Sequence, residues 1–226
     1  MVRFFIVIIS CFFLILYYVP KMSYYARHGE KYDEETCYRM AQVMIEHVKK
    51  RGRIETVASG MENLPTEGGY IMFANHQGKY DALGVISVHE KPCTYVMDAK
   101  RSHLFIVTQL CELLKAKRLD KTDLRQQVQV INDVATEIRA GRRYILFPEG
   151  GYDHNHNSLR GFLPGSFKIA QKAKCPIVPV VLYDSFKPFE GKSFRKVITQ
   201  LHFLPPIPYE TFADMKTYEI RDMVVS

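Results

Sequence analysis

Patterns that mark several common protein classes are absent from this sequence. Its five cysteines, at positions 11, 37, 93, 111 and 175, show neither paired nor metal-type spacing, and we interpret them as reduced, mostly buried thiols. The chain also has no zinc-finger spacing, RNA-binding aromatic signature or clear helix-turn-helix pattern. Nucleic acid is therefore not an expected partner, although the net charge of +7 implies attraction to something anionic.

No arrangement for a covalent enzyme intermediate is found in the sequence either. A Gly-x-Ser-x-Gly segment does not occur, and no cysteine lies in an obviously electropositive turn. Internal repeats and low-complexity linkers are also missing. With 226 residues, 47% of them hydrophobic, the chain is long enough for one substantial core, and we predict one main domain.

A long apolar run is present at the amino terminus. Phe4–Val19 carries no charge and is rich in Phe, Ile and Leu, but it is shorter than the roughly 20 residues of a perpendicular membrane span. We predict a helical membrane anchor over residues 1–22, spanning or partly inserted, followed by the main domain over 23–226. A secretory signal peptide is the alternative, although the residues after the run offer no convincing small-residue cleavage site.

The charges around this segment favour a cytoplasmic main domain. Lys21, Arg27 and Lys31 follow the apolar run, whereas Arg3 and the amino terminus precede it. Beside a membrane anchor, phospholipid headgroups are the anionic partner that the positive net charge predicts.

After the anchor, the segment 33–52 is predicted to be an amphipathic helix. It has acidic residues in its first turn, basic residues before Gly52, and apolar residues spaced along one face. Those apolar residues are Tyr38, Met40, Ala41, Met44, Ile45 and Val48. The face is expected to pack in the core, or alternatively to lie on the bilayer surface next to the anchor.

Apolar runs and helical patterns then alternate along the chain. Strands are predicted over 55–59, 69–75, 94–98, 143–147, 177–182 and 197–204, and helices over 80–89, 101–115, 122–140 and 164–174. This alternation predicts an α/β fold with a largely parallel mixed sheet flanked by helices, preceded by the membrane helix. In such sheets the ligand crevice lies at the carboxyl ends of the strands.

Two polar segments follow predicted strands. His76 and Asp81 come after the strand 69–75, in a spacing that lets a turn bring the carboxylate to one imidazole nitrogen and leave the other to take a proton. The alternative is that Asp81 caps the next helix and His76 is a loop residue. The second segment, 147–151, places Glu149 and backbone amides at a strand end, where a surface turn is the alternative.

Three segments in order resemble motif blocks of the glycerolipid acyltransferases, typified by 1-acylglycerol-3-phosphate acyltransferase: "NHQGKYD", "FPEG" and "PIVPV". They lie between about Asn75 and Leu182. The resemblance implies that His76 is the general base, oriented by Asp81, and that Glu149 holds acceptor hydroxyls or orders the loop. It also implies substrate contacts at Asn75, Phe147, Pro148, Gly150 and Gly151, with the glycine amides near the developing oxyanion.

The implied reaction moves a fatty acyl group from acyl-CoA or acyl carrier protein to the sn-2 hydroxyl of 1-acylglycerol 3-phosphate, which gives phosphatidic acid. The thioester is a co-substrate, so no bound cofactor or metal is expected. His154 and His156, two apart in a polar loop, invite a metal interpretation, but the sequence shows no third or fourth ligand for them.

The sequence departs from the family pattern where the acceptor's phosphate is expected. Lys121 replaces an arginine, and Gly151-Tyr152-Asp153 replaces the usual Thr-Arg-Ser. Lys121 and Arg160, with Arg125, are the remaining candidate phosphate contacts, and solvated surface charge is the alternative. Two alternatives therefore remain. The protein is an acyltransferase for a different lysophospholipid or an amine-bearing lipid acceptor, or it is a non-catalytic lipid-binding module.

Overall fold

The apolar runs of the sequence form a single seven-stranded sheet. The computed structural model describes residues 2–226, and its strands are β1 Ile54–Ser59, β2 Tyr70–Ala74, β3 Thr94–Asp98, β4 Lys117–Leu119, β5 Arg143–Leu146, β6 Ile177–Tyr183 and β7 Val197–Phe203. Their order in the sheet is β1-β7-β6-β2-β5-β3-β4. Only the β6–β7 pairing is antiparallel among these strands, which confirms the predicted largely parallel mixed sheet.

Helices cover both faces of this sheet. They are α1 Val2–Ser10, α2 Phe12–Arg27, α3 Glu34–Gly52, α4 Asp81–Val88, α5 Ala99–Ser102, α6 Val107–Leu113, α7 Leu124–Arg139, α8 Lys168–Ala173, α9 Tyr209–Phe212 and α10 Thr217–Val225, with 3-10 turns at Met61–Asn63 and Pro164–Phe167. Alternate residues of β2 enter opposite cores: Met72 packs with α2, α3 and α6, whereas Phe73 packs with α7 and α8. β2 is therefore buried on both sides, at the centre of the sheet.

The elements predicted from local signals are found close to their predicted bounds. α3 is capped by Asp33, whose carboxylate accepts the Thr36 amide at 2.8 Å, and its apolar face lies in the core. The helix predicted over 101–115 is instead broken into α5 and α6 around Ile106, which has a φ of 73°. The short edge strand β4 was missed because three half-buried residues, two of them basic, carry no strand periodicity.

From residue 2 onward, the segment predicted as a membrane anchor is helical, but it forms two helices instead of one. α1 and α2 meet at Cys11 with a bend of 72°, and α2 continues through Pro20 as far as Arg27. Within residues 2–226 no single helix is long and apolar enough to cross a membrane, whereas the bent pair meets that test by length and composition.

A buried arginine attaches the start of α1 to the rest of the protein. The Arg3 side chain is 1% exposed and donates to four backbone carbonyls, those of Gly52, Pro188, Ser193 and Arg195, at 2.5 to 2.9 Å. Hydrogen bonds satisfy the guanidinium in place of water, which a buried charge requires. Arg3 is thus a docking group and not a free charge flanking a membrane segment.

A neutral histidine stabilises the packing of β2 against α4. His89 is fully buried, with Nδ1 2.6 Å from the Lys91 carbonyl and Nε2 2.7 Å from the Tyr70 hydroxyl. Because a carbonyl can only accept, Nδ1 carries the proton and Nε2 accepts from Tyr70. Burial lowers the pKa of His89 to about 4 from an ordinary value of 6.5.

We expect His89 to make the folded state sensitive to mild acid. Between pH 6.5 and 4 the unfolded chain binds a proton on this imidazole and the folded chain does not, so stability falls with falling pH by about 3 kcal/mol. His89→Gln removes this titration. Urea unfolding of both proteins at pH 7, 5.5 and 4.5 should show a smaller pH-dependent loss in the variant, and equal losses would contradict the assignment.

Candidate active site

The candidate catalytic residues emerge from two neighbouring parallel strands. β2 and β5 pair in register, with Phe73 opposite Leu146, and both end at the same edge of the sheet. His76 lies two residues after β2, and Glu149 lies three residues after β5. The sheet therefore brings together the two polar segments that the sequence analysis identified, at the carboxyl ends where parallel sheets bind ligands.

One carboxylate oxygen organises the turn between β2 and α4. Asp81 is fully buried, and its Oδ2 lies 2.6 Å from His76 Nδ1 while accepting the amides of Gln77 at 2.6 Å and Gly78 at 2.9 Å. These donors precede Asp81 in the chain, so the carboxylate closes the turn before α4. The alternative that Asp81 serves as a helix cap, with His76 an independent loop residue, is not what the structure shows.

This contact determines what the His76 ring can do. An ionised carboxylate only accepts, so Nδ1 carries the proton and Nε2 is left to act as a base. The ring stacks on Phe147 at 4.4 Å and meets the edge of Tyr152 at 4.7 Å. Its side chain is 18% exposed, so the imidazole is held between aromatic rings and still reaches solvent.

Glu149 contacts the same turn from the β5 side. Its Oε1 accepts the backbone amide of His76 at 2.8 Å, and its Oε2 is buried with no hydrogen-bond partner among residues 2–226. Burial raises the pKa of the Glu149 carboxyl, while the hydrogen bond from the His76 backbone amide opposes the rise. Glu149 thus orders the loop beside His76 and keeps one acceptor oxygen unused.

The glycines after Glu149 form a tight turn in which only one amide stays unused. Gly150 has a φ of 70°, and a side chain there would meet Leu163 at 2.9 Å. The Gly150 amide donates to the Phe147 carbonyl at 3.1 Å, so it is not available to an oxyanion. Gly151, for which no amide hydrogen bond is found within residues 2–226, is the better placed of the two for that role.

Asn75 and Pro148 are predicted substrate contacts that the structure places in supporting positions. The Asn75 side-chain amide donates to the Leu182 carbonyl at 3.0 Å and accepts the Leu182 amide at 2.7 Å, which ties the end of β2 to β6. Pro148 is buried, and its carbonyl accepts the Leu163 amide at 2.8 Å.

The predicted phosphate contacts are not all brought to His76. Lys121 follows the edge strand β4, three strand positions from β2, or about 14 Å across the sheet. Its ammonium pairs with Asp98 at 2.8 Å, and this contact lowers the pKa of the Asp98 carboxyl. Arg160 is exposed and lies beside Glu149 through its backbone, and Arg125 is exposed on α7.

The structure adds a cation that the sequence analysis missed. The Arg101 guanidinium lies over the Tyr152 ring at 5.0 Å, and Tyr152 in turn contacts His76. Asp98 accepts the Arg101 amide at 3.4 Å and so holds the short helix α5 at the end of β3, next to β5 in the sheet. The basic pair at 100–101, one residue removed from the predicted strand 94–98, is the available signal in the sequence, but Arg101 falls at the start of the helix predicted over 101–115.

A buried amide also links the loops around the site. Gln77 is 1% exposed. Its side-chain nitrogen donates to the side-chain oxygen of Asn157 at 3.0 Å, and its side-chain oxygen accepts the Ser185 backbone amide at 2.8 Å. Asn157 in turn donates to Asp184 at 3.0 Å. The loop after Glu149 is therefore bound to the loop after β6, a connection that no local pattern predicts.

Comparison with known proteins places these features in a family. A family model described as Acyltransferase matches residues 55–183. Human 1-acyl-sn-glycerol-3-phosphate acyltransferase alpha is 30% identical over 178 residues, which is 76% of this chain and 62% of the human protein. The yeast (Saccharomyces cerevisiae) 1-acyl-sn-glycerol-3-phosphate acyltransferase is 26% identical over 169 residues, 73% of this chain and 55% of the yeast protein. The chain thus spans roughly three fifths of the length of these curated relatives.

A solved structure shows the same fold. The crystal structure of the 1-acyl-sn-glycerophosphate (LPA) acyltransferase PlsC from Thermotoga maritima has a TM-score of 0.76, covers 99% of this chain and 93% of its own, and is 17% identical. The family match contains His76, Asp81 and Glu149 and extends over more than half of the 226 residues. This chain therefore belongs to the acyltransferase family.

Proposed function

We propose that this protein transfers a fatty acyl group from an acyl thioester, acyl-CoA or acyl carrier protein, to the sn-2 hydroxyl of 1-acylglycerol 3-phosphate, making phosphatidic acid for phospholipid biosynthesis. The observation that carries the proposal is the His76–Asp81 contact, which prepares a base without an adjacent nucleophile of the protein's own. The names of the curated relatives support the acceptor.

His76 acts as the general base in the proposed reaction. Its Nε2 takes the acceptor's hydroxyl proton while the hydroxyl oxygen attacks the thioester carbonyl carbon. The tetrahedral intermediate then expels the thiolate, which receives the same proton from the imidazolium, so an ester forms and the thioester bond breaks. Asp81 stabilises the imidazolium through Nδ1 and maintains the productive tautomer.

Two further groups, the Gly151 amide and the Glu149 carboxylate, have proposed roles in stabilising the oxyanion and binding the acceptor. The Gly151 amide is a candidate donor to the oxyanion that develops on the thioester carbonyl, where a fixed donor contributes most. The unused Oε2 of Glu149 is a candidate acceptor for a hydroxyl of the glycerol. Because the thioester already carries the activated acyl group, the proposed step requires no bound organic cofactor.

Removing the base should abolish transfer without unfolding the protein. His76→Ala is expected to lower kcat by roughly 10²–10⁴, because general-base catalysis contributes about that much. Asp81→Asn should also lose activity, since the imidazole would no longer be held in the required tautomer. Steady-state assays with radiolabelled acyl-CoA and acyl carrier protein donors and a panel of lysolipid acceptors provide the measurement.

The matched control for this test is His47→Ala, the same substitution at an exposed histidine of α3. Circular dichroism should show that all three variants keep the wild-type fold. A His76→Ala protein that kept more than about a tenth of the wild-type kcat would remove His76 from the base role.

We further propose that Arg101 binds the acceptor's phosphate. Among the cations considered, it is the one whose charged group the structure connects to His76, through Tyr152, and a guanidinium presents paired donors to phosphate oxygens. The Lys121 ammonium is already paired with Asp98. The assignment to Lys121 that the resemblance implies remains the alternative.

Parallel substitutions separate the two phosphate assignments. Arg101→Ala is expected to raise KM for 1-acylglycerol 3-phosphate roughly 10- to 100-fold, the effect of losing a charge-assisted contact, and to leave KM for the acyl donor nearly unchanged. Lys121→Ala should have little effect on either constant. The reverse pattern would favour Lys121, and no effect in both variants would favour an acceptor without a phosphomonoester.

We also propose that α1 and α2 hold the domain at a membrane with the catalytic edge facing the cytoplasm. Their inward side chains, such as Val7 and Met22, are buried, while a set of large apolar side chains on them is 53–80% exposed: Phe5, Ile9, Phe12, Phe13, Leu16 and Tyr17. Many large apolar side chains exposed along two adjoining helices are typical of a membrane or protein contact.

A charge on this apolar surface should weaken membrane binding. We expect Ile9→Asp/Phe13→Asp to shift the protein from the pellet to the supernatant in co-sedimentation with anionic phospholipid vesicles. The control is Leu124→Asp. Leu124 is 77% exposed on α7, which packs on the opposite face of the sheet from α2. Equal sedimentation of the two variants would contradict the proposal.

A further inference from the structure

We propose that His154, His156 and Glu190 form a binding site for a divalent transition metal ion of the zinc type. The two histidines lie in the loop after Glu149, and Glu190 lies in the loop between β6 and β7. One ligand atom from each residue can be chosen so that all three lie within 4.8 Å of one another. The sequence alone offers two ligands, the two histidines of this loop, and folding brings Glu190 to them as the third.

The two distances from the Glu190 carboxylate to the histidine nitrogens fit a tetrahedral ion. Glu190 Oε2 lies 3.6 Å from His154 Nδ1 and 3.4 Å from His156 Nε2. Zinc bonds to imidazole nitrogen and carboxylate oxygen measure about 2.0–2.2 Å, so neighbouring ligands of a tetrahedral ion lie about 3.3–3.6 Å apart. Both separations from Glu190 lie within or at the edge of this range, and the ligand nitrogens of the two histidines, which lie within 4.8 Å of each other, complete the site by moving to the same spacing.

The backbone conformation at the two loop histidines is energetically unfavourable. His154 and His156 have φ values of 49° and 52°, in the left-handed region that residues with side chains rarely adopt. Two residues in this conformation, separated by a single residue, strain the backbone. Strain of this kind persists where the surrounding structure holds it in place, commonly at functional sites. The His156 ring also stacks on Phe186 at 4.1 Å, which fixes its orientation toward Glu190.

Among residues 2–226, the Glu190 carboxylate forms ion pairs with the two histidines and with no lysine or arginine. Lys187, three residues before Glu190 in this loop, pairs with Asp184 at 2.6 Å. Within residues 2–226 the ion-pair partners of Glu190 are His154 and His156. Two neutral imidazoles and one carboxylate favour zinc and related ions over magnesium or calcium, which prefer oxygen ligands, and they leave a fourth position for water.

A bound ion would join the two loops that border His76. Asn155, between the two histidines, donates to the His76 carbonyl at 3.4 Å, and Tyr152 in the same loop contacts the His76 ring. The Gln77 and Asn157 side chains already link these loops by hydrogen bonds. The ion therefore acts as a clamp that restricts the loop 151–160 beside the base.

Direct binding measurements test the site without relying on turnover. Full-length protein in detergent should bind one Zn²⁺ per chain, measured by calorimetry and by competition with a chromogenic chelator, and Mg²⁺ should not compete. His154→Ala, His156→Ala and Glu190→Gln should each weaken Zn²⁺ binding at least about ten-fold. His47→Ala is the matched control and should bind as the wild type does.

Hydrogen exchange tests the clamp separately. Zn²⁺ should slow amide exchange in peptides covering 151–160 and 184–190 of the wild type and leave exchange in Glu190→Gln unchanged. The site assignment is overturned if the wild type binds no stoichiometric Zn²⁺, or if the three variants bind it as tightly as the wild type. Binding without protection of these loops would overturn the clamp. Neither result depends on the proposed acyl transfer.

Discussion

The candidate active site depends on a single buried oxygen, Oδ2 of Asp81. It lies within 2.6–2.9 Å of three nitrogens of the preceding turn, the ring Nδ1 of His76 and the amides of Gln77 and Gly78. Three hydrogen bonds offset the cost of burying the charge and close the turn at the same time. The His76 ring is therefore oriented by the same contact that shapes its loop, and a change at Asp81 affects both.

The parallel arrangement of β2 and β5 completes the site across a long stretch of chain. Two strands that end at one edge bring Glu149 to the His76 amide although 73 positions separate these residues. Because β2 is buried on both faces, its end is held by the core, and the Asn75 side chain ties it further to Leu182. The loops contribute contacts, while the position of His76 is determined by the sheet.

The amino-terminal helices combine two properties that are usually separate. Arg3 attaches α1 to carbonyl groups of the domain, so this segment is part of the folded unit. The outward faces of α1 and α2 nevertheless carry large exposed apolar side chains. A docked helix pair has a fixed orientation relative to the sheet, whereas a flexible tether does not. Contact of these faces with a lipid surface would therefore orient the edge of the sheet that carries His76 relative to that surface.

The features that depend on neighbouring residues could be predicted from the amino-acid sequence: the apolar strands, the helix α3, and, with a capping role for Asp81 as the alternative, the contact of His76 with Asp81. Four other features arise only in the folded chain: the bend at Cys11, the burial of Arg3, the pairing of Lys121 with Asp98, and the contact of Glu190 with the two loop histidines. Periodicity and capping act within a few residues. These other contacts join distant segments, and they follow from strand order and long-range packing, which local patterns do not specify.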